Sequence, residues 1–148
     1  MTATTDRKDI QKLKHLLQDE MSAVESYDQA IAAVKNDATK AELADLNSGH
    51  KSRVIKLQAK VTELGGELPE NSGLWGKFAK LLEAGASHLG DKVIVGTLEE
   101  CEVHHLAAYK SGLEVFDEAE HKLVFSDLLP AQQDAYEKIN KLHTSIHH

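Results

Sequence analysis

The stretch GGELPENSGLWGKFAKLLEAGASHLG, Gly65 to Gly90, decides the topology of this chain. It opens on adjacent glycines and contains Pro69, one of two prolines in the sequence, so it stops the helix before it. In its middle, Trp75, Phe78, Leu81 and Leu82 share one face of a short amphipathic helix. Long runs of helical periodicity flank it. Ile10, Leu13, Leu17, Val24, Tyr27, Ile31 and Val34 predict a first helix over 6–35, opened by Thr5 or Asp6 and ended at Asn36. Leu43, Leu46, Val54, Leu57, Val61 and Leu64 predict a second, started by a Thr39/Glu42 capping box and stopped at Gly65-Gly66. Val95, Leu98, Leu106, Tyr109, Leu113 and Phe116 predict a third from Asp91 to Phe116. A second box, Asp117/Glu120, opens a fourth helix carrying Val124, Leu128, Ala135, Ile139, Leu142 and Ile146, which Pro130 should kink or split.

The turns within each pair are short, so helices one and two, and three and four, are antiparallel neighbours. A helix of about 25 residues is about 37 Å long, and Gly65–Gly90 is long enough to run that whole length. The order is two helices, one full-length crossover, two helices, and the middle pair then points the same way. The expected fold is all-α, a four-helix bundle with one long crossover containing a short extra helix. It forms one domain over 1–148. The alternative is a five-helix array in which the Trp75 segment joins the core.

Composition narrows the function classes. The formal net charge is -7, whereas a nucleic-acid partner needs a basic face. No apolar run is long enough to span a membrane, and MTATTDRKD lacks the core of a secretion signal. The single cysteine, Cys101, suits a reducing cytoplasm. It reads as a small hydrophobe rather than a soft metal ligand. The terminal HTSIHH reads as a frayed end. Tyr27, Tyr109 and Tyr136 read as core fillers with hydroxyls tied to carboxylates.

The chemistry concentrates in LEECEVHHLAAY, Leu98 to Tyr109. The apolar stripe of helix three takes in Glu102 and His105 and leaves Glu99, Glu100 and His104 to solvent. The stripe of helix two takes in His50, and that of helix one Glu20. With the middle helices parallel, His50 and Glu102 each lie about ten residues from their helix starts and share one height. Reflection through the turns brings Val24 and Glu25 level with His50, and Gln132 level with Glu102, with Asp134 one turn away. Buried carboxylates and imidazoles call for a metal, a proton-sharing network or water. An i, i+3 pair such as Glu102/His105 sets two ligands on one face, in a combination that suits Fe, Mn or Zn. A second Glu-x-x-His, Glu118/His121, shows that composition alone yields the motif. Glu102/His105 stands out only through its inward stripe and its level with His50.

LLQDEMSAVESYDQAI, KVTELGGELPENSGLWGKF and LEECEVHHLAAYKSGLEVF resemble a bacterial family of small ferritin-like four-helix-bundle proteins with no assigned function. That family is distantly related to rubrerythrin and to stress-induced di-metal bundle proteins. The resemblance covers about residues 10–143. It implies a ferritin-like fold and, in some members, a di-metal centre. Carried over, the first-helix ligand falls at Val24 or Glu25, and the second-helix Glu-x-x-His becomes Asn47-x-x-His50. The third-helix ligand matches Glu102, with His105 one turn on, and the fourth-helix motif falls at Asp134-x-x-Glu137, without histidine. The candidate ligands are Glu25, His50, Glu102, His105 and Asp134, with Glu20, Asn47, Gln132 and Glu137 behind them. The expectation is a structural or stress-related interaction module, a cytoplasmic homodimer with an incomplete ligand set and either no cofactor or one metal ion. The alternative is an Fe-, Mn- or Zn-binding oxidoreductase or iron-handling protein. A third reading makes the Trp75 crossover a docking element for a protein partner.

Overall fold

The computed structural model describes residues 3–70, 90–116 and 118–147. The calls on the Trp75 crossover helix and on the Asp117/Glu120 box lie outside the described residues. The described residues form helices joined by short irregular segments, with no strand among them. The elements are α1 (Ala3–Ala33), α2 (Asp37–Glu63), α3 (Asp91–Gly112), α4 (Glu118–Leu123), a π-helical turn (Val124–Leu128) and α5 (Leu129–Ser145). The last three make one rod.

Hydrogen bonds between the rods fix their directions. Lys12 of α1 donates to Ser111 near the end of α3, whereas the amides of Lys35 and Asn36, just past α1, donate to Asp91 at the start of α3. α1 and α3 are therefore antiparallel. α1 and α2 are antiparallel too, joined by the three residues 34–36. It follows that α2 and α3 run parallel. α5 runs against α3, since Lys92 bonds carbonyls of His143 and Ile146 while Gln132 bonds the carbonyl of Glu102.

Local chemistry explains the ends. Asn36 accepts from the Thr39 amide at 2.9 Å and caps α2, with Asp37 favourably placed in the first turn. The Thr39/Glu42 box therefore does not start the helix: Asn36 is the first side chain that can reach the free amides, and Thr39 already lies inside. α1 likewise starts before Thr5 and Asp6, at Ala3. At the far end of α2, the amides of Gly65 and Gly66 return to the carbonyls of Thr62 and Val61. Gly65 takes φ 84°, the left-handed conformation that ends helices. α3 stops at Gly112, a turn before Phe116. Pro130 splits the last rod as expected. It has no amide to donate back to Ser126, and the chain relaxes into a π turn in which the Leu129 amide reaches Val124 instead.

The core forms in two apolar layers. Tyr27, Ala30, Leu43, Ile94, Leu98, Ile139 and their neighbours fill one end of the bundle. Leu13, Leu16, Leu17, Leu57, Val61, Tyr109, Val124 and Leu128 fill the other. Between them lies a layer of buried charge.

Candidate metal centre

Each rod delivers a polar side chain to this middle layer because the residue stands on its apolar stripe. On α1, Leu13, Leu16, Leu17, Glu20, Ala23 and Tyr27 make one inward face, and Glu20 is 0 % exposed. On α2, Leu46, His50, Arg53 and Leu57 do the same. On α3 the face is Leu98, Glu102, His105 and Tyr109, and on α5 it includes Gln132.

Glu20 is fully engaged. Its Oε1 accepts from Nδ1 of His50, and its Oε2 accepts from Arg53 Nε at 2.5 Å and from the Tyr109 hydroxyl at 2.5 Å. Arg53 also donates from Nη2 to Gln132 Oε1 at 3.1 Å, and Gln132 in turn donates to the Glu102 carbonyl at 3.1 Å. This half of the layer is a closed, hydrogen-bonded network. Burial alone would push the Glu20 carboxyl up, but His50 and then Arg53 outweigh it and hold it down to about 2.

The other half is open. His50 Nε2 lies 2.8 Å from Glu102 Oε1, and His105 Nδ1 lies 3.9 Å from the same oxygen. Neither contact is aligned as a hydrogen bond. Both oxygens of Glu102, Nε2 of His50, Nδ1 of His105 and the hydroxyl of Tyr27 are buried without a hydrogen-bond partner. The His50 ring lies 5.0 Å from Tyr27 and 6.0 Å from His105, between centroids. Burial acts to lower the His50 pKa, yet Glu20 and Glu102 together raise it to about 9. His105 goes the other way, lowered chiefly by burial.

Glu20, His50 and His105 each offer a donor atom within 4.8 Å of the others. Glu20, however, has both oxygens taken by His50, Arg53 and Tyr109. The carboxylate with free lone pairs beside the two imidazoles is Glu102. Glu20 instead orients His50 from behind, in the manner of a carboxylate that holds a ligating histidine by its other nitrogen.

The structure sorts the sequence candidates. His50, Glu102, His105 and Glu20 converge, with Gln132 beside them. Glu25 does not join them; it lines an apolar groove on the α1/α2 surface with Met21, Val24 and Ile55. The first-helix carboxylate at the centre is Glu20, because the inward stripe passes through positions 20, 23 and 27. Asp134 is exposed and pairs with Lys138 at 3.1 Å, since Gln132 rather than Asp134 lies on the inward face of α5. Glu137 is also exposed, 3.5 Å from Gln133 Nε2. Asn47 is buried but donates to Asp28 at 2.8 Å, away from the cluster. Of the three tyrosines, Tyr109 ties its hydroxyl to a carboxylate and Tyr27 does not. Arg53 was not among the sequence candidates, although its spacing of three from His50 and four from Leu57 puts it on the inward stripe.

No helix among the described residues is long and apolar enough to cross a membrane. No curated protein and no solved structure matches the chain. Residues 8–115, well over half of the sequence, match one family model, and the chain thus belongs to the family described as "Domain of unknown function (DUF2383)".

Proposed function

We propose that this protein is a metal-binding helical bundle holding a single divalent transition ion in its middle layer. His50 Nε2, His105 Nδ1 and the Glu102 carboxylate are the ligands. Two imidazoles and one carboxylate suit iron, manganese or zinc. The observation that carries this reading is the convergence, on those three side chains, of four buried polar atoms without an aligned hydrogen bond, two of which, His50 Nε2 and Glu102 Oε1, meet only as an ion pair at 2.8 Å. A buried polar atom without a hydrogen bond costs about 1–3 kcal/mol, less where an ion pair offsets it, and one cation would engage all four. His50 is already oriented by Glu20, so the site is preorganised.

The ligand set serves one ion, not two. Arg53 fixes a positive charge on the Glu20 side, with Nη2 2.9 Å from His50 Nδ1, and repels a second cation there. Asn47, Asp134 and Glu137 face elsewhere. The parallel middle rods and the antiparallel pairs support a ferritin-like origin with one crossover. On that view the chain keeps a one-ion remnant of a two-ion arrangement.

One observation favours a different reading, a metal-free structural module. With His50 protonated, the charges of Glu20, Glu102, Arg53 and His50 cancel. Elemental analysis of protein purified without a histidine tag separates the two. Metal near one per chain is expected. At a hundredfold excess of metal over Kd, native-state binding raises stability by about 2.7 kcal/mol. Glu102→Gln, which keeps the shape and loses the charge beside His50, should remove that shift at some cost to the metal-free stability. No retained metal and no shift with Fe, Mn or Zn would leave the structural module standing.

A further inference from the structure

The centre is sealed on most sides. Arg53 and Gln132 close it toward α5, and the apolar layers close it above and below. On the α1/α2 surface the neighbouring groove is lined by Met21, Val24, Val54 and Ile55, and its one carboxylate, Glu25, shares it with the cation of Lys51. The α1/α3 surface differs. There a groove of about 540 Å³ is lined by His15, Asp19 and His104 among others. Asp19 precedes Glu20 in sequence, about 100° around α1, and so lines the α1/α3 groove while Glu20 faces the core. Burial pushes the Asp19 carboxyl up, and interaction with His105 and then His104 pulls it back down.

The rings of His104 and His105 are 6.0 Å apart, as are those of His105 and His50. Burial deepens along the same series: His104 is exposed, His105 is 6 % exposed and His50 is 0 % exposed. A nitrogen or carboxylate donor thus recurs from the surface to the centre. Among the described residues, the one set of three donors within 4.8 Å of one another is the buried Glu20, His50 and His105, and the groove side chains form none. The one lysine of the groove, Lys12, is tied to Ser111 at its far end, two turns of α1 from Asp19.

We infer that the α1/α3 groove is the route by which a divalent cation reaches the centre, with Asp19 and His104 as transit ligands that hand it to His105. This rests on the metal-binding reading above. A carboxylate at the mouth of a low-dielectric cleft raises the local cation concentration, and such steering changes association rates by about 10–10³-fold.

The test is the rate of Co2+ uptake by chelator-treated protein, followed by cobalt absorption after rapid mixing. Asp19→Asn and His104→Gln should each slow uptake, by about tenfold or more together, and reach the wild-type final occupancy and spectrum. Glu25→Gln, on the α1/α2 surface, should leave the rate unchanged. Wild-type rates in the Asp19→Asn/His104→Gln double variant would overturn the route and leave the site intact. Equal slowing by Glu25→Gln would also overturn it. So would reduced final occupancy in Asp19→Asn or His104→Gln, which would make those residues ligands rather than transit points. Wild-type protein that binds no Co2+ at all would overturn route and site together.

Discussion

The apolar ends of the bundle and its polar middle are held by different physics. At the ends, Leu13, Leu57, Ile94 and Ile139 are 0–1 % exposed and contribute through close packing. Any apolar side chain of similar volume serves there, and a smaller one costs in proportion to the cavity it leaves. The middle is cooperative in charge. Glu20 lies between three donors, and His50 between two carboxylates. Removing one member exposes another as an uncompensated buried ion. The ends confer tolerance, and the middle imposes identity.

The sharpest way to break this contrast is Arg53→Met. It keeps the volume but strands Glu20, and should cost about 3–5 kcal/mol in urea unfolding. A loss below about 1 kcal/mol would make the middle as tolerant as the ends. Next comes pH. Without metal, His50 has a folded pKa of about 9, above its unfolded value of 6.5. Its contribution to stability is fully present below pH 6.5 and is lost as pH rises through 9. Glu20 works oppositely: its share is present above pH 4.5 and disappears as pH falls toward 2. Unfolding of the metal-free protein should therefore be hardest between those limits. Metal binding must displace the His50 proton, so affinity should climb about tenfold per pH unit up to about 9. A pH-independent Kd would refute His50 as a ligand.

Smaller effects sharpen the other side. Ile94→Val at the apolar end should cost about 1 kcal/mol without altering metal affinity. Asn36→Ala, which removes the α2 cap, should cost about 1 kcal/mol as well. Lys56→Ala breaks only the exposed pair with Asp127, at 2.9 Å, and should change stability by less than about 1 kcal/mol.

The rods were legible in the sequence because their apolar stripes are long and their stops are strong. Gly65-Gly66 and Pro130 act through backbone constraints that no neighbour can override. The parallel middle pair followed from chain length alone. His50, Glu102 and His105 were legible as inward residues for the same reason. Two features were misjudged. Glu20 stood on the inward stripe of α1 but ranked behind Glu25, because reflection through a turn places a level only to within one helical turn. Arg53 escaped because a long cationic side chain on an apolar stripe usually bends toward water. Here Glu20 and Gln132 hold it inside, and that depends on partners from two other rods. The Thr39 box was outcompeted by Asn36, three residues earlier, which satisfies the same amide.

The π turn at Val124–Leu128 carries one residue more than an ordinary turn would need. The wider turn absorbs that residue, so the helices on either side keep the phase they would have without it. Deleting one residue from the turn would restore regular helix and leave Gln132 facing Arg53. Regular helix through the full sequence would instead turn Leu129–Ser145 by about 100° and carry Gln132 off the centre, so this turn keeps the inner face of the last rod in register.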